Sequence, residues 1–259
     1  MAKAWAKFPY ADKKYLYTAA TLKKAWERLH KGDAEPFPKS EAVADAWIAF
    51  HAGEFQKATE LGLKAGAEGT SVANKAQAIY ANYLEEGDKR KLDLLEEVAA
   101  RAEALQAKEP KNANAYYWQA YALGRYAQGI SVVKALSQGI GGKVKAALET
   151  TIKLAPKHGD AHIALGSYHA EVIDKVGAMI GGLTYGAKKD VAIKNFQTAL
   201  KLMPDSAIAR IEYANGLVML EGKKALKQAE QLYAEAAACE PADAMERLDV
   251  ELAKAELED

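Results

Sequence analysis

Three histidines and a glutamate fall close together in this sequence, His158, His162, His169 and Glu171. On a helix, residues four and seven apart share a face, so two imidazoles and a neighbouring carboxylate at this spacing could ligate a metal. The surroundings argue otherwise. His158 belongs to a turn, Asp160 is set to cap the helix that follows, and His162 and His169 take slots that face a packed partner helix. The stretch GIGGKV, residues 139–144, invites a phosphate-cradle reading and fails it. Ser137 stands where the first glycine must be, Val144 stands where a Ser or Thr must bind magnesium, and no strand leads in. It reads as a glycine turn between long helices. Cys239, the single cysteine, sits in AAACEP as a small buried filler and excludes an intrachain disulfide. No paired-cysteine motif, HExxH or GxSxG elbow occurs. A hydrolase using scattered carboxylates would require a cluster of perturbed acids in one pocket. The expectation is no enzyme, no cofactor and no metal.

Such residues must be positioned by helices. Half the chain is apolar and only 8% aromatic, and alanine is abundant, which favours helix because alanine surrenders no side-chain entropy on entering one. The 35 basic residues cancel the 35 acidic ones, so no overall field draws the chain onto nucleic acid or an anionic membrane. Pairs such as Lys143 with Lys145 and Lys188 with Lys189 read as solvated helix ends. The start, MAKAWAKFPYADKK, lacks the apolar core of an export signal, and nothing is apolar for long enough to span a bilayer. A soluble, cytoplasmic chain without membrane insertion is expected, and a periplasmic chain with its signal removed would read identically.

Pro110, Pro156, Pro204 and Pro241 each follow one helical run and precede another, and each marks a stop. Counting back from them exposes a repeated spacing. Pro204 has Ala199, Phe196 and Ala192; Pro241 has Ala236, Tyr233 and Ala229; Pro156 has Thr151, Leu148 and Val144; Pro110 has the looser set Leu105, Ala102 and Val98. Small residues alternating with a large one along one stripe let two helices approach and interlock. The preceding helices carry a related stripe, in His162, Leu165, Gly166 and His169 and again in Arg210, Tyr213, Ala214 and Leu217.

This pattern resembles the tetratricopeptide repeat (TPR) family, with an aromatic residue, Leu-Gly and Tyr in the first helix, and Ala, Phe and Pro in the second. AGEFQKA, residues 52–58, resembles that family's inter-helix turn. The resemblance implies an all-α, right-handed superhelical solenoid with units at about 41–70, 73–110, 113–156, 159–204 and 207–241. Residues 1–40 would form an N-terminal helix and proline-containing linker, with YADKKYLYTAATLKKAWERLHKGD as the helix, and 242–259 a polar capping helix. The proline spacings of 46, 48 and 37 exceed the usual 34 or so. Divided between two helices, the excess makes units three and four tall hairpins. Their Gly-x-Tyr starts and their turns at Gly141–Gly142 and Gly181–Gly182 are similar to repeats of TRAP-transporter-associated TPR lipoproteins and of regulator-of-microtubule-dynamics proteins.

In that family the first helix of each unit lines a concave face. The candidate partner-binding residues are therefore Asn114, Tyr117, Tyr121 and Arg125, then Asp160, Ile163, Ser167 and Glu171, then Ile208, Ile211, Asn215 and Val218. Tyrosine and arginine commonly anchor interfaces. The aromatics could equally pack against the next repeat. Some TPR domains hold a terminal carboxylate with Lys, Arg and Asn, but here only Asn114, Arg125 and Asn215 match and no lysine accompanies them. Residues 176–187, VGAMIGGLTYGA, lack any charge at a hairpin tip. They are expected to pack on the neighbouring tip around VVKALSQGIGG, or else to touch a partner, a second subunit or an apolar ligand. The sequence thus supports a noncatalytic adaptor for a protein or peptide, with a carrier of an apolar small molecule as the alternative.

Overall fold

The computed structural model describes residues 4–258. Among these there is no strand, and short 3-10 turns accompany a run of α-helices. In chain order the helices are α1 (Ala19–Leu29), α2 (Glu41–His51), α3 (Phe55–Lys64), α4 (Thr70–Tyr83), α5 (Asp88–Lys108), α6 (Ala113–Ile130), α7 (Val132–Ser137), α8 (Ile140–Leu154), α9 (Gly159–Tyr185), α10 (Lys189–Leu202), α11 (Ala207–Glu221), α12 (Leu226–Ala237) and α13 (Ala244–Glu258). Successive helices pack as pairs, α2 with α3, α4 with α5, α6 with α8, α9 with α10 and α11 with α12, and each pair stacks on the next. This is a TPR-like α-solenoid.

Local chemistry sets the helix starts. Side-chain oxygens of Thr18, Ser40, Asn112 and Ser206 accept the free N–H groups of α1, α2, α6 and α11. At α9 the cap is His158, whose ring accepts from the Ala161 N–H at 3.1 Å, and Asp160, expected as the cap, lies inside the first turn. The expected N-terminal helix is shorter than its amphipathic pattern. A 3-10 turn at Lys13–Tyr15 precedes α1, because Thr18 and Thr21 close a reciprocal capping box that starts the helix there.

The repeated stripe does what its spacing requires. Ala192, Phe196 and Ala199 are fully buried, and Phe196 lies between two glycines, Gly166 of α9 and Gly216 of α11. A methyl group at either would come within 2.8 Å or 2.4 Å of the ring. Tyr213 stacks on the same ring at 5.3 Å between centroids.

Contrary to the even division expected, neither lengthened unit splits its surplus between its two helices; each places it in a short helical segment between them. In unit four this segment is residues 178–185, the end of α9 beyond Gly177, which folds back along the earlier part: the Tyr168 hydroxyl donates to the Tyr185 carbonyl at 3.2 Å, and a Cβ on Gly181 would lie 3.4 Å from Val172. In unit three it becomes α7, a separate short helix between α6 and α8. The Gly-Gly pairs are not the turns either. Gly141 and Gly142 begin α8, and Gly181 and Gly182 lie within α9. Gly139 and Gly186, the neighbouring glycines with φ of 76° and 65°, separate these short segments from α8 and α10. The chain of unit four reverses at Gly177, at φ 80° and ψ 157°, so that α9 is two helical pieces lying antiparallel. The uncharged tip beyond it is not covered by its neighbour: Met179, Ile180 and Leu183 are exposed.

The two ends of the solenoid meet. α13 packs on α11, α12 and α2. The Tyr17 hydroxyl donates to the Ala242 carbonyl at 2.8 Å, and Arg28 reaches Glu246 with two bonds, 2.5 and 2.9 Å. His51 Nδ1 lies 2.7 Å from Asp243, and the Tyr83 hydroxyl donates to Asp249 at 2.5 Å.

Candidate functional site

The stacked pairs leave a groove of about 970 Å³, including its open mouth, between α6, α7, α8 and α9, with α4, α11 and the start of α13 along its sides. Tyr117, Tyr121 and Arg125 project into it from α6, Asp160, Ile163, Ser167 and Glu171 from α9, and Ile208 from α11. The inner wall is apolar and comes from the lengthened region: Val132, Ala135, Leu136, Val144, Leu148, Tyr168 and Val172.

A polar belt crosses the mouth. Arg125 donates to Glu212 at 2.8 Å and to Gln128 at 3.0 Å, Gln128 donates to Glu171, and the Ser167 hydroxyl donates to Glu212 at 2.9 Å. The guanidinium also lies over the Tyr121 ring, 5.5 Å from its centroid. Burial opposes its charge, yet Glu212, with Tyr121 and Tyr83, holds it protonated well above the ordinary range. Burial pushes the Glu171 carboxyl up, and burial together with Asp33 pushes Asp160 up to about 7. Arg125 is thus paired with Glu212, and burial disfavours ionisation of the other two acids, which suits a largely apolar occupant. The Asp160 carboxylate makes no hydrogen bond or ion pair among the described residues, and it borders both this groove and a second, charged chamber.

Four of the expected residues are engaged elsewhere. Asn114 donates to the Asp33 carbonyl and to Glu35, and its Oδ1 accepts from His158 Nε2, 2.8 Å away. Ile211 is buried with Val250 and Ala253, Val218 packs in the cluster around Phe196, and Asn215 accepts from the Tyr233 hydroxyl. The contributions of Glu212, Gln128, Ile79, Tyr83 and Met245 lie outside the sequence expectation. Glu212 sits four positions after Ile208, so a stripe drawn one residue later along α11 finds it.

The charged chamber, about 570 Å³ with its opening, shares Asp160, Ile208 and Met245 with the groove. It holds the perturbed acids a hydrolase would need. Burial raises Glu246 and Asp249, whereas Asp33 is held well below the ordinary range, since His30 and Lys75 outweigh its burial. These acids are committed to joining helices: Asp33 to Lys75 at 2.6 Å and to His30 at 2.9 Å, Glu246 to Arg28, Asp249 to Tyr83. Among the described residues no group of three or more His, Cys, Asp or Glu is placed to hold a metal. His162 contacts Asn195 and the Pro156 carbonyl, and His169 accepts from the Lys188 N–H. Cys239 is half-buried at the end of α12 rather than filling the core.

Residues 49–258 match the family described as RMD1-3, regulator of microtubule dynamics protein 1-3. No curated protein matches the chain. Among solved structures it is similar to a thermophilic TPR protein of Thermus thermophilus, with a TM-score of 0.58 and 18% identity over 83% of this chain and 97% of that one. At that identity the likeness is one of fold.

Proposed function

The chain belongs to the regulator of microtubule dynamics protein 1-3 family, and on that footing we propose that it is a noncatalytic scaffold whose concave groove holds a segment of a protein or peptide partner. TPR-like folds are typically noncatalytic and serve protein interaction. The observation that carries the reading is the groove itself, where tyrosines and an arginine from α6 meet α9 and α11 around an apolar chamber. An apolar side chain of the partner enters the chamber. A basic side chain beside it pairs with Asp160, the acid that has no partner among the described residues. On this reading residues 41–241 are the repeat domain, 1–40 and 242–259 are its flanks, and the protein works in the cytoplasm.

Gly124 provides the test. It lines the groove, and a Cβ built there meets nothing within 4 Å. Gly124→Leu fills the mouth and removes a helix-weakening glycine, so stability holds or rises by about 0.8 kcal/mol. Native mass spectrometry and affinity capture from the protein's own source should show a polypeptide bound to the wild type and lost from the variant. A partner held equally by both would sink the groove assignment.

The unbroken apolar inner wall favours a second reading, a carrier of an apolar small molecule. Under it the native protein carries a few hundred daltons of organic-extractable mass, again displaced by Gly124→Leu, and no polypeptide.

A further inference from the structure

The ends of the two lengthened hairpins form a surface that the groove does not use. Beyond the Gly177 reversal, α9 presents Met179, Ile180 and Leu183, which are 76%, 53% and 85% exposed, and α7 presents Val133, 52% exposed. The two segments share one end of the molecule: α7 and α8 pack against α9, and Lys145 Cε lies 3.6 Å from the position of a side chain on Gly186. Isolated apolar residues on a surface need no explanation, but three within five residues of one short helical segment do.

Charge is distributed here unlike the rest of the chain. Residues 130–145 and 175–189 contain six lysines, Lys134, Lys143, Lys145, Lys175, Lys188 and Lys189, and no Asp, Glu or Arg. Lys145, Lys175 and Lys189 pair at the rim with Glu149, Asp174 and Glu221. Lys134, Lys143 and Lys188 form no ion pair among the described residues. Asp174 and Asp190 bound the second stretch, so the basic excess of this end rests on the three lysines without an ion pair.

We infer that this end docks on an anionic lipid surface, with Met179, Ile180 and Leu183 entering the headgroup boundary and the lysines meeting lipid phosphates. The composition selects lipid over protein. Protein interfaces are depleted in lysine and enriched in Tyr, Trp and Arg, whereas aliphatic residues accompanied by lysines on the same segments combine apolar burial with attraction to acidic headgroups. Lysine stems also lie along apolar surface while their ammonium groups stay in water. The contact is peripheral, since no helix among the described residues is long and apolar enough to cross a membrane.

Vesicle co-sedimentation of the full chain tests this, using phosphatidylcholine alone and phosphatidylcholine with about 30 mol% phosphatidylglycerol. Binding is expected only to the anionic vesicles and should weaken with salt. Met179→Gln with Leu183→Gln, both at exposed sites, should lower partitioning about tenfold or more. Lys134→Glu, Lys143→Glu and Lys188→Glu together should lower it about a hundredfold at low salt. The control Lys223→Glu, Lys224→Glu, Lys227→Glu should stay within about twofold of wild type. Equal binding to both vesicles, no binding to either, or a control as damaging as the tip variants overturns the proposal. So does a concentration-dependent dimer that the glutamine variant abolishes in a chain that ignores vesicles.

Discussion

Glu35 shows how far a single buried group can move. Its carboxyl is pushed up to about 8 by burial and by Asp33, while Asn114 donates to it. Between its ordinary 4.5 and about 8 the folded state holds a proton that the unfolded state has released, so stability falls as pH rises through that window and is flat beyond it. Glu35→Gln keeps the acceptor and removes the titration. Urea denaturation should show it gaining on the wild type from pH ~5 to pH ~8, with no further gain at higher pH; a constant difference across that range would refute the shift. His30 and His158 act in the opposite sense. Burial lowers both to about 4, so their share of stability is complete above the ordinary histidine value and is lost as pH falls from 6.5 towards 4. None of this was legible in the sequence, where Glu35 sits in a proline-flanked linker and His158 in a turn. Their burial is created by contacts with distant helices. Tyr117, Tyr121 and Arg125 were legible because one helix carries all three at helical spacing. Glu212 was missed because α13 covers the Ile211 side of α11 and leaves the adjacent stripe facing the groove.

At the level of the helices, the alternation of small and large residues predicts which substitutions the packing forbids. Gly216→Ala places a methyl 2.4 Å from the Phe196 ring, which is itself fully buried between α9 and α11. The loss should be about 1–3 kcal/mol despite alanine's better helix propensity. Gly142→Ala, with nothing within 4 Å, should be neutral or stabilising by less than about 1 kcal/mol. Thermal unfolding of the two variants measures the contrast, and similar effects from both would show that the glycine at 216 is not a packing requirement. The helix pairs and their proline stops could be read from the sequence because punctuation and stripe spacing are local. The allotment of the surplus residues could not, since whether an insertion lengthens the paired helices or adds a short segment between them depends on which neighbour supplies an apolar wall. Leu136 and Ala135 of α7 find that wall against α9.

The whole molecule exposes 12958 Å², against about 11,000 Å² for a compact monomer of this mass. The contact between its ends is the feature least accessible to sequence reasoning, because nothing local announces it. A double-mutant cycle on Arg28→Ala and Glu246→Ala should give a coupling of about 1 kcal/mol at low salt, near the upper end for part-exposed pairs because the contact has two bonds. A coupling of zero would mean that the ends merely adjoin. In an open repeat array each unit answers only to its neighbours, and terminal units fray independently. Here Tyr17 is bonded across 225 positions and His51 across 192. The outermost turns hold one another, so melting either frees both, and a string of near-neighbour units acquires the cooperativity of a loop. Contacts of such sequence separation form only after the intervening chain has collapsed, so this helical protein should fold more slowly than its local helix pairing suggests.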